Sequence, residues 1–345
     1  MKKYMFFVAI VCILSLLISS CGMHNNDATD TLETIVETQS AFEELQCEHV
    51  ESRWIIDEYA RVDKTGKRHI ECIVCGVILL SEQTPALIPS EGLLFGDNAD
   101  GTSSVIGIGT CKDEDIVIPL ESPNGNPINS IDAKAFYGNQ KIKSVILCDN
   151  IKTVGDQAFF YCSNLVRVEM TDSVTSIGDS SFFACNRLSS VVLSTKIKSV
   201  GDSAFYGCAN LLAIYLPDTV EYIGSSAFAA SGLTVINIPN KIIDLEPAVF
   251  MHCSSLGCFM GVNIQLEIPK GVQRIGVGAF SYSGLTSIII PNSVSVIEYG
   301  AFEGCDKLRD VFYTGTEEEW NLVVVGEKNE SLGFANIHFN YVPMQ

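Results

Sequence analysis

The sequence has few basic residues. Its 345 residues include 22 lysines and arginines against 41 aspartates and glutamates, which gives a formal net charge of −19 at pH 7. Removing an N-terminal leader that contains Lys2 and Lys3 gives −19 − 2 = −21. An acidic surface of this size repels phosphate backbones. The composition therefore argues against nucleic acid as a partner.

Groups arranged for catalysis are also lacking. The five histidines are scattered, and none is accompanied by a nucleophile and an acid in a recognisable order. No glycine-rich phosphate loop follows a predicted strand, and the acidic residues fall at variable positions. The sequence predicts a protein that is not an enzyme. A cell-wall hydrolase with an unrecognised site is a distant alternative, which a zymogram would test.

The N-terminal apolar run is too short to cross a bilayer. Two lysines precede the apolar residues 4–17, a pattern typical of a secretory leader. The leader ends in Ile-Ser-Ser before Cys21, which resembles the lipobox of bacterial lipoproteins. We predict that residues 1–20 are a signal peptide and that Cys21 carries the lipid, which anchors a secreted protein to the extracellular face of the bacterial membrane. Ordinary cleavage that leaves Cys21 free is the alternative.

The sequence does contain a repeat. Between residues 131 and 313 a repeat unit of about 23 residues, called a phrase below, occurs eight times. Its sequence is roughly Ile-x3-Ala-Phe-x2-Cys-x2-Leu-x2-Val-x-Leu-Pro. Its anchoring phenylalanines are Phe136, Phe159, Phe182, Phe205, Phe228, Phe250, Phe280 and Phe302. A fixed period of this length is typical of a solenoid, in which a coil becomes stable only by stacking on its neighbours.

Each position in the phrase has a predicted role. An aliphatic residue five positions before every phenylalanine points inward, and alternating apolar residues such as Val168 and Met170 predict a strand. Five phrases carry a cysteine three residues after the phenylalanine, where the others carry Asn or Ser. This position therefore predicts a small buried group that hydrogen-bonds the turn, rather than a metal ligand or a disulfide. Two phrases, at residues 231–233 and 283–285, shorten to Ser-Gly-Leu, where glycine allows a tighter turn.

The period together with the Ala-Phe, Cys and Pro positions resembles the BspA-like, or Treponema-type, class of bacterial leucine-rich repeats, over roughly residues 93–345. The resemblance implies a repeat solenoid of the leucine-rich-repeat type, with about eight coils of 22–23 residues and a curved parallel sheet on one face. It also implies a surface protein that binds other proteins or host matrix and has no common catalytic site. We therefore expect a surface-anchored adhesion lipoprotein whose partner is a host matrix or bacterial surface protein. A structural surface scaffold without a specific ligand is the alternative.

A small module is predicted between the leader and the repeats. Residues 21–46 are rich in Thr, Asp and Glu and predict a flexible tether, and residues 81–92, with two prolines, predict a linker. The module between them, residues 47–80, contains a set of four thiol and imidazole groups that would close a tetrahedral zinc site. These predicted ligands are Cys47, His49, Cys72 and Cys75.

A stabilising cross-link, either a bound metal ion or a disulfide, is expected in this module because so short a unit has too little hydrophobic core to fold alone. The module also resembles the zinc-ribbon-like modules that often precede repeats of this class. The alternatives are a disulfide between Cys72 and Cys75 or with Cys47, and His69 as a ligand in place of His49.

The repeats are predicted to be capped and to carry one insertion. Strand-like runs at residues 105–108 and 116–118 predict a cap over the first coil, and Trp320 is predicted to plug the last coil. The sixth phrase has seven extra residues at about 257–263, which form either a surface loop on the binding side or a segment folded over its coil.

The predicted binding surface follows from strand alternation. Side chains between two inward residues of each strand point outward, and stacking brings them into one row at a spacing of about 4.8 Å. This row consists of Ile146, Glu169, Val192, Tyr215, Asn237, Glu267, Ile289 and Phe312. Five of the eight are apolar or aromatic, which favours a partner site, although β-propensity alone would also select such residues.

Overall fold

The computed structural model describes residues 55–58, 60–71, 78–259, 262–263 and 265–343. These described residues divide into two compact units, of which the first contains residues 55, 69–71 and 78–81 and the second contains the rest. Strands β1 (Ile55–Glu58), β2 (Gly66–Glu71) and β3 (Ile78–Thr84) form a three-stranded sheet in that order. Because β3 continues to Thr84, the segment predicted as a linker begins as a strand.

The rest of the second unit is a parallel β-solenoid of ten coils. One strand of each coil lies on a surface that we call face A: β6 (Asp115–Val117), β8 (Ser144–Ile146), β10 (Arg167–Glu169), β12 (Ser190–Val192), β14 (Ala213–Ile214), β16 (Val235–Ile236), β20 (Leu266–Glu267), β22 (Ser287–Ile290), β24 (Asp310–Tyr313) and β26 (Asn336–His338). The other lies on face B: β5 (Ser103–Gly107), β7 (Ile128–Ile131), β9 (Thr153–Val154), β11 (Ser176–Ile177), β13 (Ser199–Val200), β15 (Tyr222–Ile223), β17 (Asp244–Leu245), β21 (Arg274–Ile275), β23 (Val296–Ile297) and β25 (Val324–Val325).

The predicted solenoid is confirmed, with two differences. There are ten coils rather than about eight, because each cap adds strands at its end of the stack. Parallel ladders also run along face B, which the sequence did not predict as a sheet. Most strands of face B are two residues long, too short to show a period of two in the sequence.

Each face is divided into shorter sheets. Face A consists of three sheets: β6, β8, β10 and β12; β14 and β16; and β20, β22, β24 and β26. Face B consists of two sheets: β4 (Leu94–Asp97) with β5, β7, β9, β11, β13 and β15; and β17, β21, β23 and β25. Strand β4 is antiparallel to β5 and covers the first coil. Within the insertion, β18 (Cys258–Phe259) pairs antiparallel with β19 (Val262–Asn263), and the ladder of face A is interrupted at the same point.

The core is a column of stacked phenylalanine rings. All eight anchoring phenylalanines are buried, and the centroids of neighbouring rings lie 5.0 to 5.9 Å apart. The interplanar angles are 21° or less. The residue before each ring is also buried. The repeated Ala-Phe dipeptide therefore places one ring per coil in the same position.

The turn that carries each phenylalanine has two residues in the left-handed region. Two positions before the rings these residues are Lys134, Gln157, Ser180, Ser203, Ser226, Ala248, Gly278 and Gly300. Two positions after the rings they are Gly138, Tyr161, Ala184, Gly207, Ala230, His252, Tyr282 and Gly304. In the first seven phrases the backbone N–H groups of both positions, and of the phenylalanine between them, donate to carbonyls of the following coil. These inter-coil hydrogen bonds offset the strain of a left-handed side-chain residue.

The cysteine position acts as predicted. Each of the five thiols is buried and forms no disulfide with another described cysteine: Cys162, Cys185, Cys208, Cys253 and Cys305. Each donates to the carbonyl of the phenylalanine in the preceding coil at 3.0 to 3.2 Å. Where Ser-Gly-Leu replaces this pattern, a Cβ at Gly232 would lie 2.1 Å from the carbonyl oxygen of Ala209. Close approach of the two backbones therefore requires glycine there.

The C-terminal cap completes the last coil. Helix α1 (Glu317–Trp320) begins at a capping box formed by Thr316 and Glu319, and helix α2 (Glu330–Phe334) follows β25. The ring of Trp320 packs against buried Tyr313 at a centroid distance of 5.0 Å and an angle of 69°. The prediction that Trp320 covers the end of the last coil is confirmed.

Candidate functional site

The predicted binding row lies along face A. Glu169 is in register with Ile146 on one side and Val192 on the other, and Ile289 is in register with Glu267 and Phe312. Between these sets, Tyr215 and Asn237 directly follow Ile214 and Ile236, which are themselves in register. The structure therefore brings the eight predicted residues together in strand order, in the three sheets of face A.

The row is not uniformly exposed, which corrects the expectation at two positions. Glu169 is 3% exposed and forms an ion pair with Arg167 two residues earlier on the same strand. Ile289 is 6% exposed because it lies between two neighbours in register, one of which is the large ring of Phe312. Tyr215, at 36%, is the most exposed apolar member. Tyr215 and Glu267 are therefore the exposed members of this row, and the remaining four members are half-buried: Ile146, Val192, Asn237 and Phe312.

One member of the row has a structural function. The side-chain amide of Asn237 accepts from the backbone N–H of Leu216 at 2.9 Å and donates to the carbonyl of Leu216 at 2.6 Å. It thus extends the ladder between β14 and β16 by one step, in place of backbone atoms. Replacing Asn237 would disturb the fold as well as any binding surface.

A second outward column accompanies the row and was missed in the sequence. Residues two positions earlier on each strand face the same side, because side chains alternate across a sheet. This column contains Asp115, Ser144, Arg167, Ser190, Ala213, Val235, Gln265, Ser287, Asp310 and Asn336. Val117 and His338 also extend the first row at its two ends. The same alternation that predicted the first row could have predicted these residues.

Near the C-terminal end of face A the two columns border an open depression of about 740 Å³. Its walls are Gln265, Thr286, Ser287, Lys307, Arg309, Asp310 and Phe312. A second cavity, beside Arg61 and Val117, has a volume of only about 10 Å³, which is about the space of one water molecule. The depression is therefore the larger of the two concave features and the better candidate for a ligand.

Phe312 is the aromatic residue in the wall of the depression, and two other rings pack against it. The ring of Phe312 is stacked on His338 at a centroid distance of 4.7 Å and an angle of 13°. Tyr341 is tilted against the same ring at 4.7 Å, and its hydroxyl lies 3.5 Å from Oε1 of Gln265. Nε2 of His338 lies 2.8 Å from Oδ1 of Asp310. These contacts hold Phe312, a predicted anchor, in a defined orientation.

Comparison with known proteins places this solenoid in a family. Residues 129–257 and 255–319 match the BspA type leucine rich repeat region in six copies, over more than half of the chain. The chain belongs to this family. A leucine-rich repeat protein from Bacteroides ovatus has a similar fold, with a TM-score of 0.50 and 23% identity over 73% of this chain and 78% of that one.

A second solved structure, the leucine rich repeat protein of T. pallidum, shares 25% identity over 56% of this chain and 87% of that one, with a TM-score of 0.48. No curated protein gives a significant match. Leucine-rich repeats generally form scaffolds for protein interactions.

The residues of this BspA type protein that are predicted to carry the lipid and to bind zinc do not belong to face A. Cys21, Cys47, His49, Cys72 and Cys75 all lie outside the described residues. The alternative zinc ligand His69 is 7% exposed, with Nε2 3.7 Å from Oε2 of Glu71. In the part of the chain that the structure describes, no group of three or more His, Cys, Asp or Glu side chains is arranged to hold a metal ion.

No helix among the described residues combines the length and the apolar character that a membrane crossing needs.

Proposed function

We propose that this protein is a surface-anchored adhesion lipoprotein that binds a host matrix or bacterial surface protein through face A. The proposal combines the BspA type solenoid with the predicted lipid anchor at Cys21. Zinc in the module of residues 47–80 would act only as a structural staple for that module.

The observation that carries the proposal is the concave depression on face A, together with the varied outward side chains around it. The outward residues of face A include aliphatic, aromatic, acidic and amide side chains. On face B the outward residues are uniform at Ser130, Thr153, Ser176 and Ser199 and vary from Tyr222 onward. A recognition surface needs varied side chains, and the depression offers a partner a concave contact on face A.

Paired variants test the role of face A. The double variant Tyr215→Ser with Phe312→Ser removes two large contacts from face A, and Tyr222→Ser makes the same exchange on face B, where Tyr222 is 44% exposed. Immobilised protein is incubated with host matrix proteins and bacterial surface extracts, and retained proteins are identified by mass spectrometry. We expect the face A variant to lose the retained partner and the face B variant to keep it.

Equal retention by both variants would contradict the assignment of face A and favour the alternative of a surface scaffold. Ile289→Ser is unsuitable for this test. Its side chain is buried, so the substitution would lower the free energy of unfolding as well.

A further inference from the structure

We propose that the depression beside Phe312 receives an acidic segment of the partner protein. This inference rests on the proposed function and names the chemistry that one end of face A recognises. It depends on three features of the depression: its uncompensated positive charge, its fixed aromatic wall and a hydroxyl group that the fold itself does not use.

The first feature is a pair of cations without counter-ions. Lys307 and Arg309 are exposed, and within the described ranges neither lies within ion-pair distance of a carboxylate. Some basic residues of the solenoid are compensated, as Lys143 is by Glu114 and Arg274 is by three carboxylates. Others, such as Lys196, form no ion pair with a described carboxylate, but Lys307 and Arg309 are set apart because both line the same depression. In a chain with a net charge of −19, two adjacent uncompensated cations form a local site for negative charge.

The second cation is held in place by the backbone. Nη1 of Arg309 donates to the carbonyl of Asp306 at 2.7 Å and to that of Leu308 at 3.1 Å. These bonds fix one nitrogen of the guanidinium and restrict its orientation. A guanidinium that is already oriented loses less conformational entropy when it binds a carboxylate.

The one carboxylate in the wall does not cancel this charge. Oδ1 of Asp310 faces Nε2 of His338 at 2.8 Å, while the ring of His338 stacks on Phe312. The carboxylate of Asp310 therefore already has a hydrogen-bond partner in the ring of His338. Lys307 and Arg309 remain available to a ligand.

The aromatic wall adds an apolar contact beside the charge. Phe312 lies between Ile289 and His338 in register, and Tyr341 reaches across the sheet from Phe312 to Gln265. Such a wall suits an apolar side chain that accompanies an acidic one. A peptide segment supplies both within a few residues, and aromatic anchors of this kind supply much of the energy of protein interfaces.

Thr286 provides the third feature. Its hydroxyl oxygen is buried and has no hydrogen-bond partner among the described residues. The equivalent hydroxyl of Thr234 donates to the carbonyl of Leu212 at 3.0 Å. An unused buried hydroxyl carries an unfavourable desolvation energy, which a ligand oxygen would relieve after a rotation of the side chain.

Fluorescence anisotropy with labelled peptides tests the inference on the full-length protein. The probe is a peptide of alternating glutamate and phenylalanine, and its counterpart has lysine in place of glutamate. We expect the acidic peptide to bind and Lys307→Glu to weaken this binding by about fivefold or more. Lys307→Gln, which removes the charge without reversing it, should give a smaller loss.

The matched control is Lys196→Glu, which makes the same change in net charge at an exposed position far along the chain from the depression. Equal weakening by Lys196→Glu would show that only overall charge matters and would overturn the inference. Absence of acidic peptide binding, or preference for an acidic polysaccharide such as a polyuronate, would also overturn it.

If the inference fails while partner capture still depends on Tyr215, the proposed function stands. If capture is independent of face A but the peptide still binds at Lys307, the proposed function fails instead.

Discussion

Oδ1 of Asn329 accepts a hydrogen bond from the backbone N–H of Phe302 at 2.9 Å. In the seven preceding coils the same N–H donates to a carbonyl of the next coil, at 2.7 to 3.0 Å. Phe302 belongs to the last phrase, so no further coil with this turn follows it. The buried side chain of Asn329 takes the place of the missing carbonyl, and its Nδ2 donates to the carbonyls of Glu298 and Gly326 at 2.9 Å.

We predict that Asn329→Ala lowers the free energy of unfolding by about 1–3 kcal/mol, because it leaves a buried backbone N–H without an acceptor. Urea denaturation followed by circular dichroism measures the change. Asn321→Ala is the control, since Asn321 is exposed in the same cap. A similar effect of both substitutions would contradict the capping role of Asn329.

Gly232→Ala should destabilise the solenoid by about 1–3 kcal/mol, because its Cβ would lie 2.1 Å from the carbonyl oxygen of Ala209. Gly333→Ala is the comparison. A Cβ at Gly333, in α2, meets no atom within 4 Å, and alanine favours helix there. The melting temperatures of the two variants are compared with that of the parent protein. If Gly232→Ala melts like the parent, the coils are not as closely spaced as described.

The buried thiols should make stability fall in alkaline solution. Burial raises the pKa of Cys162 and Cys208 to about 12, from an ordinary value of 9.0. The unfolded chain therefore loses these protons above pH 9 while the folded chain retains them until about pH 12. Each such thiol leaves stability unchanged below pH 9 and lowers it by about 1.4 kcal/mol per pH unit above that value, up to its folded pKa.

Cys208→Ser isolates this contribution, since a serine hydroxyl can donate to the carbonyl of Phe182 without titrating in this range. Denaturation is measured between pH 8 and about pH 11 for the parent and the variant. We expect a shallower decline for Cys208→Ser. Parallel curves would mean that this thiol ionises equally in the folded and unfolded chains.

Cys21→Ala is predicted to release the protein from the membrane fraction or to stall its processing, because the substitution removes the predicted site of lipid attachment. Cell fractionation and detergent phase partitioning measure the outcome. Ser20→Thr, which keeps the thiol, serves as the control. If the Cys21→Ala protein partitions into detergent as the parent does, the lipoprotein prediction is wrong.

The predicted zinc site is tested by metal analysis of the purified protein. We expect about one zinc per molecule, and loss of that zinc in Cys72→Ser with Cys75→Ser, because a closed site needs all four ligands. Cys258→Ser, in the hairpin of the sixth phrase, should leave the zinc content unchanged. Absence of zinc together with a disulfide between Cys72 and Cys75 in a mass spectrum would replace the metal prediction with the disulfide alternative.

The sequence by itself determined the features that repeat within one coil. The period, the buried phenylalanine, the strand of face A and the small buried group at the cysteine position all follow from local patterns of size and polarity. Phe205 and Cys208, for example, occupy the positions that their phrase predicts. These predictions hold because every coil meets nearly the same neighbour, so local rules are repeated rather than overridden.

Only the tertiary structure decided what depends on contacts between coils. Gln157, Ser180 and Ser203 adopt a conformation that favours glycine, because hydrogen bonds to the next coil outweigh the local preference. The burial of Ile289 depends on residues more than 20 positions away. The depression beside Phe312 likewise joins side chains from several coils, and residues brought together only by stacking leave no common pattern along the chain.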